Sequence, residues 1–340
     1  MTNGDRRLAA SAVSPAPAGW MVRGDAAVQW LLGASEPAIR YLTGRDLLGQ
    51  DVEPDAAITS GPLVRGLLEG QQADGSFGTH PYKKWQGAHW RLVALVELGV
   101  PAGDPRALAA VGTVLDWLCG PGHRRGVKSI NGLTRRCASQ EGNALAVCCR
   151  LGIAQDSRVA MLAESLIDWQ WPDGGWNCDP RASGRRSSFH ESLAPMWGLW
   201  EYWQATGSSS ARAAAERTAE LLLEHRLFRR LDTGRVINAD WLLPRYPPYW
   251  HYDVGQSLLI LSRMGRVLDP RATEALDLLS SLQEKDGCWH SRREWWHPPG
   301  TTGSNVEAVD WGSRGPSQML TLNALRVLRA ADRVDVADTI

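Results

Sequence analysis

The sequence has no excess of either charge, no paired cysteine spacing, no long apolar run and almost no phenylalanine. Lysine plus arginine and aspartate plus glutamate each total 37 in 340 residues, so bulk charge predicts neither nucleic acid nor a membrane surface as partner. Charges interrupt every apolar stretch well before the roughly 18 residues of a membrane helix, so no membrane span is expected. Residues 1–19 contain two arginines and no apolar run, which predicts no secretory signal. Rich in Ala, Ser and Pro, residues 1–20 read as a disordered leader ahead of one folded domain over 21–335. The six cysteines (119, 137, 148, 149, 178 and 288) lack the spacing of a disulfide framework or a tight metal motif. Reduced thiols in a cytoplasmic protein are the expectation. Convincing strand patterns are also missing, apart from short loop segments.

Tryptophan is abundant: 17 residues against 3 phenylalanines. Several belong to a device that occurs three times, Gln71-Gln72-Ala73-Asp74-Gly75-Ser76-Phe77, Gln170-Trp171-Pro172-Asp173-Gly174-Gly175-Trp176 and Gln283-Glu284-Lys285-Asp286-Gly287-Cys288-Trp289. Each reads Gln-x-x-Asp-Gly-x-aromatic and follows a segment of helical periodicity. A fixed device at long intervals marks a repeat architecture: Asp-Gly ends a helix in a tight turn, and the aromatic fills the gap to the next unit. Between the copies the pattern is helical throughout. Two short helices over 26–48 precede five pairs, at 63–70 with 87–99, 105–118 with 139–152, 157–170 with 187–205, 209–227 with 249–265, and 270–283 with 316–331. The fold class is all-α, with about five to six helix pairs.

The motif, from about Gly61 to Arg329, resembles the repeat of the squalene and oxidosqualene cyclases and the protein prenyltransferase β-subunits, whose domain is an α/α toroid. That resemblance implies a single closed ring of outer and inner helices. The inner helices would run parallel, with their N-termini and the long loops entering them on one rim, where partial positive charge favours an anionic group. Two catalytic motifs of terpene enzymes, Asp-x-Asp-Asp and Asp-Asp-x-x-Asp, are absent. Squalene-type cyclisation is therefore not expected, and the length suits one toroid rather than two.

The entry segments hold six of the eight histidines, all except His123 and His225. His190 matches the position of a zinc-binding histidine in the prenyltransferase β-subunits. His251-Tyr252-Asp253, after Pro247-Pro248, is similar to their Asp-x-Cys ligand pair with order and residue changed. The resemblance thus implies a possible Zn²⁺ site from His190, His251 and Asp253 with Cys178, or with Asp179 as its fourth donor, a mixed S, N and O set suited to that ion. The same residues read without metal as neutral histidines whose tautomers are set by Asp253 or Asp179, holding a proton for transfer. His89 and Cys137 complete the candidate catalytic set. Lys83, Lys84, Trp85, Arg136, Glu141, Asn143, Trp197, Tyr249 and Tyr252 are the candidate substrate contacts. The doublets Lys83-Lys84, Arg124-Arg125, Arg135-Arg136, Arg185-Arg186 and Arg292-Arg293 either ring the mouth for a carboxylate or diphosphate or are solvated surface charge.

Three functions follow as expectations. The first is an enzyme acting on a hydrophobic or isoprenoid-like small molecule, often anionic, by acid/base or zinc-assisted cyclisation, isomerisation, hydration or transfer. The second is a metal-dependent enzyme of non-terpene natural-product metabolism. The third is a non-catalytic binding or scaffold ring. A small-molecule substrate is the expected partner, and a homodimer is possible.

Overall fold

The computed structural model describes residues 22–51, 53, 56–312 and 315–335; the leader expected over 1–20 lies outside the described residues. The pairs run in chain order, beginning with α1 (Asp25–Leu32) and α2 (Pro37–Leu48). After a single turn, α3 (Ala56–Ser60), come α4 (Pro62–Leu68) and α5 (Ala88–Glu97). Helix α6 (Pro105–Cys119) is followed by a short α7 (Pro121–Arg124) and then α8 (Ser139–Arg150). The last three pairs are α9 (Ser157–Trp169) with α10 (Phe189–Thr206), α11 (Ser209–Glu224) with α12 (Val254–Arg263), and α13 (Thr273–Ser281) with α14 (Gln318–Ala330).

Burial sorts the helices into two rings. Outer helices bury one stripe, as Ala107, Ala110, Val111, Val114, Leu115 and Leu118 do in α6. Inner helices are buried nearly all round, as in α5 and in the first two-thirds of α10. A one-sided stripe belongs to a surface helix, and all-round burial belongs to a central one. The inner helices contact in sequence: α5 on α8, α8 on α10, α10 on α12, α12 on α14 and α14 on α2. Tyr41 and Leu42 of α2 meet the end of α5 at Gly99, which closes the ring. The chain is an all-α, α/α toroid of six helix pairs.

The repeated device is the staple of this ring. Each glutamine amide donates to the carbonyl of its own turn glycine, at 3.3 Å for Gln71 to Gly75 and 2.9 Å for both Gln170 to Gly174 and Gln283 to Gly287. Gln71 and Gln170 also donate to the next outer helix, at Arg106 O and Ala214 O, both 2.8 Å. The indole N–H groups of Trp176 and Trp289 donate back to Leu166 O and Leu279 O, and their backbone N–H groups donate to Ser192 Oγ and Thr321 Oγ of the following inner helix. Gly75 and Gly174 have φ of +84° and +95°, and a Cβ there would lie 2.2 Å from Ala109 O and 2.6 Å from Arg217 O. Only glycine satisfies both constraints. The motif therefore joins an outer helix, its turn, the next outer helix and an inner helix.

The C-terminal ends of α2, α5, α8, α12 and α14 surround one cavity of about 310 Å³ lined by Arg45, Asp46, Glu97, Arg150, Arg263 and Arg326. The inner helices therefore run parallel. Arginines here offset the partial negative charge of helix C-termini. Glu97 takes bonds from Arg150 at 3.2 Å and Arg263 at 2.8 Å. Burial raises its pKa, but the two guanidinium groups outweigh that and hold it at about 2.

The structure departs from the sequence pattern in three places. The stretch read as a basic loop before α8 contains an antiparallel hairpin, Lys128–Ile130 with Leu133–Arg135, turned by Asn131 and Gly132 at φ of 54° and 74°. Asn-Gly favours that turn, and each strand is too short to show alternation. A second parallel pairing joins Val22–Arg23 to Val334–Asp335. Helix α12 begins at Val254 rather than Tyr249, because Asp253 is its N-cap and Tyr249 sits at φ 51°.

The α8–α10 contact is the closest in the ring. A Cβ on Gly142 would lie 2.3 Å from Pro195 N, and one on Gly198 would lie 2.3 Å from Gly142 O. Gly142→Ala is therefore expected to destabilise the protein by about 1–3 kcal/mol through overpacking. Gly112→Ala, in α6 with open space around its Cβ position, should be neutral or stabilising by up to about 1 kcal/mol. Urea denaturation of both variants checks the contrast.

Candidate functional site

The N-terminal turns of the inner helices and the loops entering them gather the polar side chains in three groups. In the first, Cys137 precedes α8, Cys178 follows the second staple and Glu191 lies in the first turn of α10. One donor atom from each lies within 4.8 Å of the others. Backbone pairing sets this register: Arg135 bridges Asn177, and Arg136 N–H donates to Asn177 O at 3.2 Å. Cys178 donates to Glu191 at 3.6 Å, and Glu191 accepts Ser139 N–H at 3.1 Å. Burial raises the Glu191 pKa. The thiols titrate as a pair, with Cys137 lowered by the hydrogen bond from Cys178 and Cys178 raised by the same bond.

Beside this group, Glu141 is bonded by His123 at 2.8 Å and Arg136 at 3.0 Å. His89 packs against Tyr82, Trp90 and Trp117, with neither ring nitrogen hydrogen-bonded. Burial lowers its pKa to about 3, which keeps it neutral, and raises that of Tyr82 to about 12.

The second group is aromatic and cationic. The His251 ring stacks on Trp295 at 3.8 Å and on Trp250 at 3.9 Å. Lys84 lies over Trp250 at 4.8 Å and over Trp85 at 5.4 Å, and Arg245 lies over Trp295 at 4.0 Å. The Arg245 side chain is 1% exposed. None of its three nitrogens is hydrogen-bonded, nor are the indole nitrogens of Trp241, Trp250 and Trp295 or Nδ1 of His251. Arg245 forms a long ion pair with Asp240 at 3.6 Å, which is itself bonded by Arg293 at 3.0 Å, and Asp253 adds a second attractive charge. Burial, and then the neighbouring His190, lower the His251 pKa to about 3.

In the third group, Tyr249 stacks on Trp85 with ring centres 4.4 Å apart and donates its hydroxyl to buried Glu307. Burial raises Glu307 to about 7. Asn143 bonds the Tyr249 carbonyl at 3.4 Å.

His190 and His251 do approach each other, with ring centres 6.4 Å apart. The zinc set expected from Cys178, His190, His251 and Asp253 is not assembled. Nδ1 of His190 accepts Tyr252 N–H at 2.8 Å. Asp253 caps α12, accepting from Gln256 and Arg245 N–H, and burial raises it to about 6. Cys178 turns to Cys137 and Glu191 instead. Neighbouring helical residues point about 100° apart, so His190 faces α12 while Glu191 faces α8. Asp179 is held by Arg181 at 2.9 Å, and Tyr252 donates its hydroxyl to Leu227 O. Trp197 bonds Glu201 near the opposite, arginine-lined rim. Lys83 is exposed. Of the doublets, Arg135 is buried over Trp171, Arg136 serves Glu141, and Arg292 and Arg293 bind Glu284 and Asp240. Arg185 and Arg186 do line a cleft of about 700 Å³ with Arg230, Phe189, Leu221 and Trp241.

Sequence reasoning named Arg245 only as one of the polar residues of its entry segment, and missed Glu191 as a partner of the thiols, His123, Trp250, Trp295 and Glu307. The Trp-rich stretch from 289 to 296 was the available signal for one of these; the others stand in no motif.

No family model and no curated protein matches the sequence. Solved structures with a similar arrangement include a GH76 α-mannanase of Bacteroides thetaiotaomicron (15% identity over 72% of this chain and 68% of that one, TM-score 0.39). Another is α-2-macroglobulin of Escherichia coli from domain MG7 to the C-terminus (17%, 92% and 42%, TM-score 0.41), of which this chain spans less than half. A third is a protein from Actinoplanes (17%, 90% and 88%, TM-score 0.41). At these values no activity carries over. The resemblance to the squalene cyclase and prenyltransferase superfamily is thereby corrected: no family model supports it, and these neighbours bear other names. The physical reason lies in the staple, which fastens helix pairs and specifies no chemistry. Among the described residues no helix is long and apolar enough to cross a membrane.

Glu307 supplies a pH test. Its folded pKa of about 7 exceeds the unfolded value of 4.5, so the folded state binds more protons between those values. Its contribution to stability is complete below about pH 4.5 and is lost as pH rises through about 7, on the order of 3 kcal/mol in total. Glu307→Gln should flatten that decline in urea titrations at pH 5 and pH 8.

Proposed function

We propose that the protein is a cytoplasmic enzyme that takes an anionic small molecule at the N-terminal rim of the toroid. The observation that carries this reading is Arg245, a guanidinium 1% exposed with no hydrogen bond. It lies amid unpartnered indole and imidazole nitrogens and near Lys84. A buried donor left unmade costs about 1–3 kcal/mol, and more when charged, so a fold that keeps this one has a partner for it. An anion supplies that partner, and the faces of Trp85, Trp250 and Trp295 suit a planar or apolar body beside it. The cleft bearing Arg185, Arg186 and Arg230 is weaker in this respect, because Asp173, Glu224 and Asp232 line it too.

Two groups at the rim are suited to proton transfer. His251, neutral because its stacked indoles exclude water, presents an unpartnered Nδ1 to accept a proton or a hydrogen bond. The Tyr249–Glu307 pair holds a carboxylic proton near neutral pH. Free thiols at all six cysteines fit a reducing compartment. A pure scaffold ring would have no use for a desolvated guanidinium whose ion pair to Asp240 is long and shared with Arg293.

Arg245→Met tests the reading. In buffer without multivalent anions its melting temperature should equal or exceed that of the wild type, because a buried charge held only by a long ion pair has been removed. Phosphate or pyrophosphate at millimolar concentration should raise the wild-type melting temperature by several degrees and leave the variant unchanged. No response in the wild type, or an equal response in both, contradicts the proposal. Incubation with a cellular metabolite extract, followed by mass spectrometry, should show an acidic metabolite consumed by the wild type and spared by Arg245→Met and His251→Ala.

A further inference from the structure

We infer that Cys137, Cys178 and Glu191 form a zinc site, separate from the anion-binding groups and independent of that reading. Three observations carry it. Two sulfur atoms and a carboxylate oxygen lie mutually within 4.8 Å, and bound to one Zn²⁺ their separations would be roughly 3.5–3.8 Å, a small contraction. The three segments are fixed independently of any ion, by the Arg135–Asn177 bridge, the Arg136 N–H to Asn177 O bond and the Ser139 N–H bond to Glu191. The Asn177 side chain further braces the loop, accepting from Asp179 N–H at 2.9 Å and donating to Arg186 O at 2.8 Å. A site held this way needs little reorganisation to bind.

The third observation is charge. Glu191 is 7% exposed, yet it accepts from a backbone N–H and a thiol, not from a cation. Its neighbour Glu141 already takes Arg136 and His123. A buried carboxylate next to two thiols and without a counter-ion is a cation site. Sulfur selects the ion: two thiolates with one carboxylate suit Zn²⁺, and Mg²⁺ or Ca²⁺ would take oxygen donors. Binding exchanges the two thiol protons, released to solvent, for one Zn²⁺, so affinity rises with pH. Both cysteines are half-buried, which leaves a side from which the ion and a fourth, non-protein ligand can enter.

Protein expressed in zinc-replete medium and purified without chelator should contain one zinc per chain by elemental analysis. Cys137→Ser and Cys178→Ser should contain less than a tenth of that, and Glu191→Gln should bind at least tenfold more weakly in a chelator competition. Cys119→Ser, whose thiol lies in α6 outside the cluster, should keep full occupancy. Cobalt added to the metal-free wild type should give a sulfur-to-cobalt charge-transfer band and intense tetrahedral visible bands. Zinc should protect Cys137 and Cys178 from alkylation, mapped by mass spectrometry, a readout that needs no variant to fold. Wild-type protein that holds no zinc and gives no cobalt bands overturns the site. So does a Cys137–Cys178 disulfide that persists in reducing buffer, or alkylation of both thiols at equal rates with and without zinc.

Discussion

The close approach of α8 and α10 is the constraint on which the rest depends. Gly142 and Gly198 remove the side chains that would hold the two helices apart, and Pro195 presents its ring nitrogen to the gap. That contact brings the first turn of α10 beside the first turn of α8. Glu191 can then bond Ser139, and the loop carrying Cys178 can lie along the strand that leads to Cys137. A methyl group at either glycine would push these turns apart, and the thiols would separate with them. Packing at the centre of the ring thus sets geometry at its edge.

Parallel inner helices give the two rims opposite characters. At the C-terminal rim, where carbonyls leave partial negative charge, arginines on four inner helices (α2, α8, α12 and α14) and the acids Glu97 and Asp46 form a paired network. The N-terminal rim instead holds unsatisfied donors, displaced carboxyl pKa values and neutral histidines. Structural polarity is normally paired, and groups left unpaired in a buried setting mark places where something else binds. The contrast between the rims locates function without reference to any relative.

Much of the ring was legible in the sequence. Proline and aspartate mark helix starts, as at Asp104-Pro105 and Asp269-Pro270, glycine marks ends, and the staple marks turns, so the six pairs emerge with boundaries off by a few residues. The inference from staple to terpene chemistry failed because the glutamine, glycine and tryptophan bonds of the motif fasten helices and turns. At the site, the crowding of histidines into entry loops pointed to the N-terminal rim. Choosing His190 over Glu191 required knowing which helix each faces, and that depends on the α8–α10 approach. His123 was passed over because it lies outside the entry loops, yet the short α7 turns it back onto Glu141. Arg245, Trp295 and Glu307 stand in long irregular loops, where neither period nor motif reveals a neighbour.

The account claims that side chains distant in sequence converge on one edge of the ring because the inner helices begin there. A crystal structure grown without chelator and with phosphate in the drop tests this most directly. It should show the sulfurs of Cys137 and Cys178 in contact with Glu191, and the Arg245 guanidinium buried against Trp295 with anion density at its nitrogens. Thiols facing away from each other, or Arg245 turned out into solvent with its three nitrogens hydrated, would contradict it.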